Sequence, residues 1–587
     1  MSSFGKAIDL PILNRVFTFV KPYRVLFLGA TALTLLLALL GPIRPWLTQH
    51  ALDNYILEDD EKGLILMAVI MIGVLVLQTI IQFLQTYCAN LLGQSVIRDL
   101  RIKLYRHILN FRMPYFDKIP IGTPVTRTVS DIETIADVFS DGVIIIIGDI
   151  LQLIVIIAYM LYLDWYLTIV SLLTVPLLIL ATNIFKNQVK RAFTEVRTQV
   201  AELNVFVQEH LSGMKIVQTF NRQEHEYATF QKINQKHKNA NIKSIWAYSV
   251  FFPVVEILSA ISIALVVWWG VGDVIDNKAT FGTLVAFIMY INLMFRPMRE
   301  LADKFNTLQM GMVSSERIFK VLDTPTGVKV NGTISGTELN GDIEFKDVWF
   351  AYNDENWVLR GVDFKINKGE TIAFVGATGA GKSTIINLIT RLYDIQKGQI
   401  LIDGIDIKEY DISFLRRRVS IVLQDVFLFS DSIYNNITLG DHTIDFKSVV
   451  DASKTVGAFD FIDQLPGKFE YNVKERGVML SMGQRQLVSF IRAFVQNPSV
   501  LILDEATSSI DPESEELISN ATQVITRGRT SLVIAHRLST IQNADRIVVM
   551  DHGKIVEIGS HFELLKNKGT YYQLYEIQFK HSDRKVS

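Results

Sequence analysis

The chain is nearly free of cysteine, since Cys88 is the single one among 587 residues. An intrachain disulfide needs two cysteines and a thiolate metal cluster needs several, so the sequence predicts neither. An excess of one charge is also lacking, with 58 lysine and arginine residues against 60 aspartate and glutamate residues. This balance argues against nucleic acid as a partner.

A cleavable signal is not evident either. The first 24 residues contain no continuous apolar core, and the first apolar segment runs on past Pro42 and Pro45. We therefore expect an uncleaved membrane segment there. Internal repeats and low-complexity tracts are likewise not visible, which favours one membrane domain followed by one second domain.

Apolar residues are abundant: they make up 49% of the chain, and the mean hydropathy is +0.27. This composition is too apolar for an ordinary soluble enzyme. The excess lies in the first half, in six segments near residues 25–49, 64–86, 139–162, 165–185, 250–272 and 281–301. Each is close to the roughly 20 residues that a membrane helix needs. The sequence predicts an all-α membrane domain of six transmembrane helices.

Positive charge orients these helices. Residues 91–138 carry seven lysines and arginines and residues 186–246 carry ten, whereas residues 53–63 carry only Lys62. Because such residues accumulate on the cytoplasmic side, we expect both termini there.

The helical pattern from residue 64 to residue 112 would make a helix roughly 70 Å long, more than twice the roughly 30 Å hydrocarbon layer. Long extensions are therefore expected in the cytoplasm, with turn-rich interruptions at residues 113–126 and 209–221. A stretch rich in glycine, threonine and proline predicts a linker at residues 321–340. The expected domains are then residues 1–320 and 341–587.

A phosphate-binding loop follows an apolar strand pattern and precedes a helical one, which is the context that such a loop requires. Its backbone N–H groups, its lysine and its serine suit phosphate oxygens and Mg²⁺. The predicted nucleotide ligands of this segment are Gly376, Ala377, Thr378, Gly379, Ala380, Gly381, Lys382, Ser383 and Thr384.

Two further motifs lie downstream. Asp504 and Glu505 end a buried-strand pattern, where Asp504 would hold Mg²⁺ and Glu505 would activate water. The run of residues 480–484 reads Leu-Ser-Met-Gly-Gln, in which Ser481 and the start of the next helix form a second anion site.

Together these motifs resemble the ATP-binding cassette family, and in particular its bacterial lipid A flippases and multidrug efflux pumps. The resemblance implies an α/β nucleotide-binding domain behind the membrane domain, and it implies that two copies share each ATP. It assigns adenine stacking to Tyr352, Mg²⁺ and water contacts to Gln424, the dimer interface to Asp511 and γ-phosphate contact to His536. Ser481, Gly483 and Gln484 of one copy would close over ATP held by the other.

The function that this resemblance implies is ATP-driven export or flipping of a lipophilic or amphipathic substrate by alternating access of a homodimer or heterodimer. The setting would be a bacterial cytoplasmic membrane. The segments at 113–126 and 209–221 look like the coupling segments that touch the cassettes. A peptide or toxin exporter and an ATP-gated channel or non-pumping regulator stay open as alternatives.

Two residues depart from the family pattern: Lys474 stands where glycine is usual, and Met482 replaces the first of two customary glycines. A second group of residues bears on the substrate, because ionisable groups inside membrane spans are costly and often face water or protein. These residues are Arg44, Asp149, Glu256 and Arg296.

We predict that Glu505→Gln keeps ATP binding but stalls hydrolysis, because the amide cannot take a proton from water, and that it traps the closed dimer. Steady-state ATPase activity and the mass in detergent check both effects. Near-normal turnover would remove Glu505 from the role of general base.

Overall fold

A computed structural model describes residues 10–138, 142–276, 278–326, 332–336, 338–353, 355–504, 512–535 and 537–578. It contains two compact units. The first runs to Asn110 and from Pro120 to Pro325, and the second comprises Phe111–Ile119 and the chain after Pro325. The predicted fold class, six membrane helices followed by an α/β nucleotide-binding domain, is confirmed; the predicted domain boundaries stay predictions.

The first unit is helical. Its helices are α1 (Leu10–Phe17), α2 (Arg24–Leu40), α3 (Ile43–Ala51), α4 (Glu61–Leu109), α6 (Gly122–Thr126), α7 (Ile132–Asp137), α8 (Val143–Leu163), α9 (Trp165–Leu172), α10 (Val175–Ser212), α11 (Met214–Thr219), α12 (Gln223–Ile275) and α13 (Phe281–Asp323). Within the described residues, six helices are long and apolar enough to cross a membrane. Helix α4 has 49 residues, about 74 Å at 1.5 Å per residue.

Helix α13 packs against α3, α7, α8 and α12. Tyr290 is fully buried there, and its hydroxyl donates to the carbonyl oxygen of Pro42 at 2.9 Å, where α2 gives way to α3. The polar ends of α10 and α12 are joined by ion pairs, among them Lys243 with Glu195 at 2.6 Å. Exposed pairs of this kind contribute about 0–1 kcal/mol each, so apolar packing supplies most of the cohesion.

The second unit starts with α5 (Met113–Lys118) and continues with two sheets. The antiparallel sheet has the order β2-β1-β4-β5, with β1 Ile343–Ala351, β2 Trp357–Ile366, β4 Lys397–Ile402 and β5 Ile405–Asp406. The larger sheet has the order β10-β9-β3-β8-β7-β6, with β3 Thr371–Val375, β6 Val419–Val422, β7 Val500–Asp504, β8 Thr530–Ile534, β9 Arg546–Asp551 and β10 Lys554–Gly559.

Helices cover these sheets. They are α14 (Lys382–Ile389), α15 (Ile412–Arg418), α16 (Ile433–Thr438), α17 (Phe446–Val456), α18 (Phe459–Asp463), α19 (Met482–Val495), α20 (Pro512–Thr526), α21 (Leu538–Gln542), α22 (His561–Asn567) and α23 (Thr570–Gln578).

Apart from the edge strand β10, the strands of the larger sheet are mostly buried on both faces. Along β3, Ile372 and Phe374 pack toward the antiparallel sheet and α14, whereas Ala373 and Val375 pack toward the helices that include α17 and α19. This layering explains why the strands read as continuous apolar runs, as is typical of covered parallel strands. The carboxyl ends of β3, β8 and β7 therefore meet at one edge, where polar residues begin.

Candidate nucleotide-binding site

The phosphate-binding loop lies between β3 and α14. Its backbone has φ values of 149° at Gly376, 85° at Gly379 and 104° at Gly381, which side-chain-bearing residues rarely adopt. A Cβ atom on Gly376 would lie 2.2 Å from the carbonyl oxygen of Met550. The chain path thus requires glycine, and it leads directly into a helix N-terminus whose first N–H groups have no intrahelical acceptor.

Lys382 lies inside this loop. Its side chain is 8% exposed, and its Nζ donates to the carbonyl oxygens of Gly376 and Ala377 at 2.8 and 3.0 Å. Burial lowers the pKa of this ammonium group, while the charge of Asp504 acts in the opposite direction. The loop therefore encloses a positive charge where an anionic ligand can be held by backbone and side chain together.

Asp504 ends β7 and accepts a hydrogen bond from Ser383. Burial raises the pKa of its carboxyl group, and Lys382 and the Ser383 hydroxyl lower it again. A hydroxyl and a carboxylate side by side are the oxygen donors that Mg²⁺ prefers. The residues present fit a magnesium nucleotide.

Tyr352 follows β1 and is 39% exposed. Its hydroxyl donates to Thr384 Oγ1 at 3.3 Å and accepts from Asn387 Nδ2 at 3.1 Å, so the ring is tied to the first turns of α14. The rings of Tyr352 and Tyr393 form a T-shaped pair, with 5.0 Å between centroids and 88° between planes. A partly exposed ring held beside the phosphate loop suits stacking on a base.

The other predicted ligands differ in accessibility. Ala377, Thr378, Gly379 and Ser383 are exposed, whereas Ala380, Gly381 and Thr384 are buried in the wall of the loop. Gln424 is exposed and lies two residues beyond β6, the neighbour of β7. The structure thus places Gln424 after the strand next to the one that ends at Asp504.

The Leu-Ser-Met-Gly-Gln run begins α19. Ser481 caps the helix: its Oγ accepts from the N–H of Gln484 at 3.2 Å, and Gln484 Oε1 accepts from the N–H of Ser481 at 3.0 Å. This capping box occupies the amide of Gln484 within its own chain. Gly483 is buried, while Ser481 and Met482 remain at the surface beside the positive end of the helix.

Glu505, Asp511 and His536 lie outside the described residues, so their roles stay predictions from the sequence.

Three of the four charged residues singled out in the membrane segments have ion-pair partners. Lys304 binds Asp149 at 2.6 Å, Arg299 binds Glu256 at 3.3 Å, and Glu300 binds Arg296 at 3.6 Å. Arg44 is exposed. The pair of Arg296 with Glu300 has i,i+4 helical spacing, which is visible in the sequence. The partners Arg299 and Lys304 lie on a different helix from Glu256 and Asp149, and no short sequence pattern indicates them.

Lys474 has φ 59° and ψ −173°, a conformation that is nearly exclusive to glycine. Glycine would adopt this backbone conformation without strain. The N–H of Lys474 donates to Asn472 Oδ1 at 2.9 Å, which holds the turn in place. The lysine is exposed, so the cost of the substitution lies in backbone strain and not in buried charge.

Comparisons with known proteins agree with this geometry. A family model described as ABC transporter transmembrane region matches residues 27–298, and one described as ABC transporter matches residues 359–508. An uncharacterized ABC transporter ATP-binding protein of Bacillus subtilis is 38% identical, covering 96% of this chain and 94% of its own length. An ATP-dependent lipid A-core flippase of Syntrophus aciditrophicus and a putative multidrug export ATP-binding/permease protein of Bacillus subtilis are each 35% identical, covering 97% of this chain and 95% and 99% of their own lengths.

We predict that Lys474→Gly stabilises the protein by about 1 kcal/mol, because release of the strained backbone outweighs the added freedom of glycine in the unfolded chain. The thermal unfolding midpoint in detergent measures the change. Lys447→Gly is the matched control: Lys447 lies within α17 and glycine there should lower the midpoint. A lower midpoint for Lys474→Gly would contradict the assigned strain.

Proposed function

Because the chain belongs to the ATP-binding cassette transporter family, we propose that it exports or flips a lipophilic or amphipathic substrate by alternating access of a dimer. The protein is an exporter ATPase, which binds ATP and couples its hydrolysis to transport. One observation supports a lipophilic or amphipathic substrate. Over nearly its whole length the chain is similar to proteins named as a lipid A-core flippase and a multidrug export protein.

The proposed hydrolytic site uses Lys382 and the loop N–H groups to hold the phosphates, with Ser383 and Asp504 as Mg²⁺ ligands. Bound Mg²⁺ would neutralise charge on the phosphate oxygens. Gln424 and His536 would position water and the γ-phosphate, and Glu505 would take the proton from water. Tyr352 would orient the nucleotide through its base.

The proposed dimer completes each site. Ser481 is exposed and Gly483 is buried at the positive end of α19, and a partner's ATP would supply the anion that this end attracts. Asp511 would lie at the same interface. ATP hydrolysis removes the γ-phosphate that bridges the two copies. The closed dimer is then no longer stabilised relative to the open one, and it opens. The partner is a second copy or another half-transporter.

The proposed location is a bacterial cytoplasmic membrane with both termini in the cytoplasm. The lysine and arginine excess in residues 91–138 and 186–246 supports this orientation. Asp164, which caps α9 by accepting from the N–H groups of Tyr166 and Leu167, would then form an outer turn.

Coupling would run through α5, which belongs to the cassette unit. Arg112 pairs with Asp394, and the Tyr393 hydroxyl donates to Asp117 at 2.5 Å. Burial and the Asp117 carboxylate raise the pKa of Tyr393, so this hydroxyl keeps its proton. Tyr393 also packs against Tyr352. The side chain of Tyr393 therefore links Asp117 of the first coupling segment to the ring that is proposed to stack on the base.

The experiment that tests the proposed function is ATPase activity of the reconstituted protein against lipids, lipophilic drugs and peptides. We expect lipids or drugs to stimulate the ATPase activity several-fold, because a substrate bound in the membrane domain favours closure of the two nucleotide-binding domains. Glu505→Gln serves as the control for contaminating ATPases. Stimulation by peptides alone, or ion conductance independent of hydrolysis, would contradict the proposal.

A second prediction concerns coupling. Tyr393→Phe removes the hydroxyl but keeps the ring, so we expect basal ATPase activity within about twofold and a several-fold loss of ligand stimulation. Asp117→Ala should have the same effect. Combining the two substitutions should cause little further loss of stimulation, because each single variant and the double variant lose the same hydrogen bond. Tyr105→Phe, at an exposed tyrosine of α4, is the control. Full stimulation in Tyr393→Phe would exclude this route.

A further inference from the structure

The cassette unit has a second concave site, at the edge of the large sheet opposite the phosphate loop. This cavity has a volume of about 380 Å³ and is lined where three parallel strands begin, by Gly369 before β3, Ser499 before β7 and Thr530 in β8. The phosphate loop and Asp504 lie at the other ends of these strands. At about 3.3 Å per residue, five-residue strands separate the two sites by roughly 17 Å.

Positive charge dominates the cavity. Its lining includes four cations, Lys368, Arg418, Arg527 and Arg529, and a single carboxylate, Glu338. Among the described residues, none of the four cations forms an ion pair with a carboxylate. Uncompensated charges of one sign in a concave surface concentrate the electrostatic potential and attract counter-ions.

The contacts that hold these cations involve neutral groups. Lys368 Nζ donates to Asn340 Oδ1 at 3.0 Å. Arg529 donates to Asn497 Oδ1 at 2.9 Å and to the carbonyl oxygen of Ile525 at 3.0 Å. Its guanidinium carbon lies 4.8 Å from the centre of the Phe494 ring. Arg529 is therefore held in place by groups that do not neutralise its charge.

The turns around the cavity have defined geometry. Asn497 has φ 45° and Gly528 has φ 75°, so both chain reversals use left-handed backbone. Burial lowers the pKa of Arg529. Arginine stays ionised in proteins, so a half-buried charge at this position gains from an external anion.

We propose that this cavity binds a small anion bearing phosphate groups. Guanidinium groups match phosphate oxygens in bidentate geometry, and Lys368 adds a point charge at the rim. The volume admits a pyrophosphate or a sugar phosphate. Leu339 and Pro498 are the apolar members of the lining, which leaves little surface for a lipid tail. This site is separate from the proposed hydrolytic site and does not depend on the transported substrate.

Calorimetric titration of inorganic pyrophosphate into the full-length protein, in detergent without Mg²⁺ and at low ionic strength, tests the proposal. Two classes of site are expected in the unaltered protein, one in the phosphate loop and one in the cavity. Lys382→Ala should abolish the first and leave the second. Arg527→Glu and Arg418→Glu should each weaken the second at least tenfold and leave the first.

Matched variants separate charge from general surface effects. Lys566→Glu, at an exposed lysine of α22 away from the cavity, should leave both classes unchanged. Arg527→Gln removes the charge of an exposed turn residue without reversing it, so the melting temperature should stay unaltered. This variant should still weaken pyrophosphate binding in the cavity. The proposal is overturned if Lys382→Ala abolishes all pyrophosphate binding, or if Arg527→Gln and Arg418→Glu bind as the unaltered protein does.

Discussion

The parallel register of β3, β8 and β7 is the constraint on which the nucleotide site depends. Ile534 of β8 pairs with Phe374 on one side and with Asp504 on the other, so the two outer strands end at the same level. The phosphate loop leaves β3 at this level, and Ser383 reaches the Asp504 carboxylate across the end of β8. A slip of one residue in either pairing would turn the buried side chains over and separate lysine, serine and aspartate.

Side-chain contacts also join the proposed site to α5 within the same unit. Tyr352 is tied to α14 through Thr384 and Asn387, and its ring touches Tyr393, whose hydroxyl reaches α5. Rigid elements joined by short contacts can transmit a change in nucleotide occupancy without a flexible intermediary. At the opposite ends of the strands, the cationic cavity contacts the residues from which β3, β7 and β8 start.

Much of this architecture was predictable because its signals are local. The strand before the phosphate loop, the glycine positions and the long apolar helices follow from periodicity and spacing within short windows. The capping box at Ser481 and Gln484 also has a local signature. The strain at Lys474 was visible only as a departure from a family pattern, and its cause is the backbone conformation of the folded turn.

The sequence by itself determined the fold class, the family and the identity of the residues that can hold phosphate and Mg²⁺, because each depends on residues close together along the chain. Only the tertiary structure decided which distant residues meet: Asp117 with Tyr393, Asp149 with Lys304, and four cations from three separate segments around one cavity. These contacts join segments up to 276 residues apart. Their partners are chosen by how sheets and helices pack, which no short window of sequence encodes.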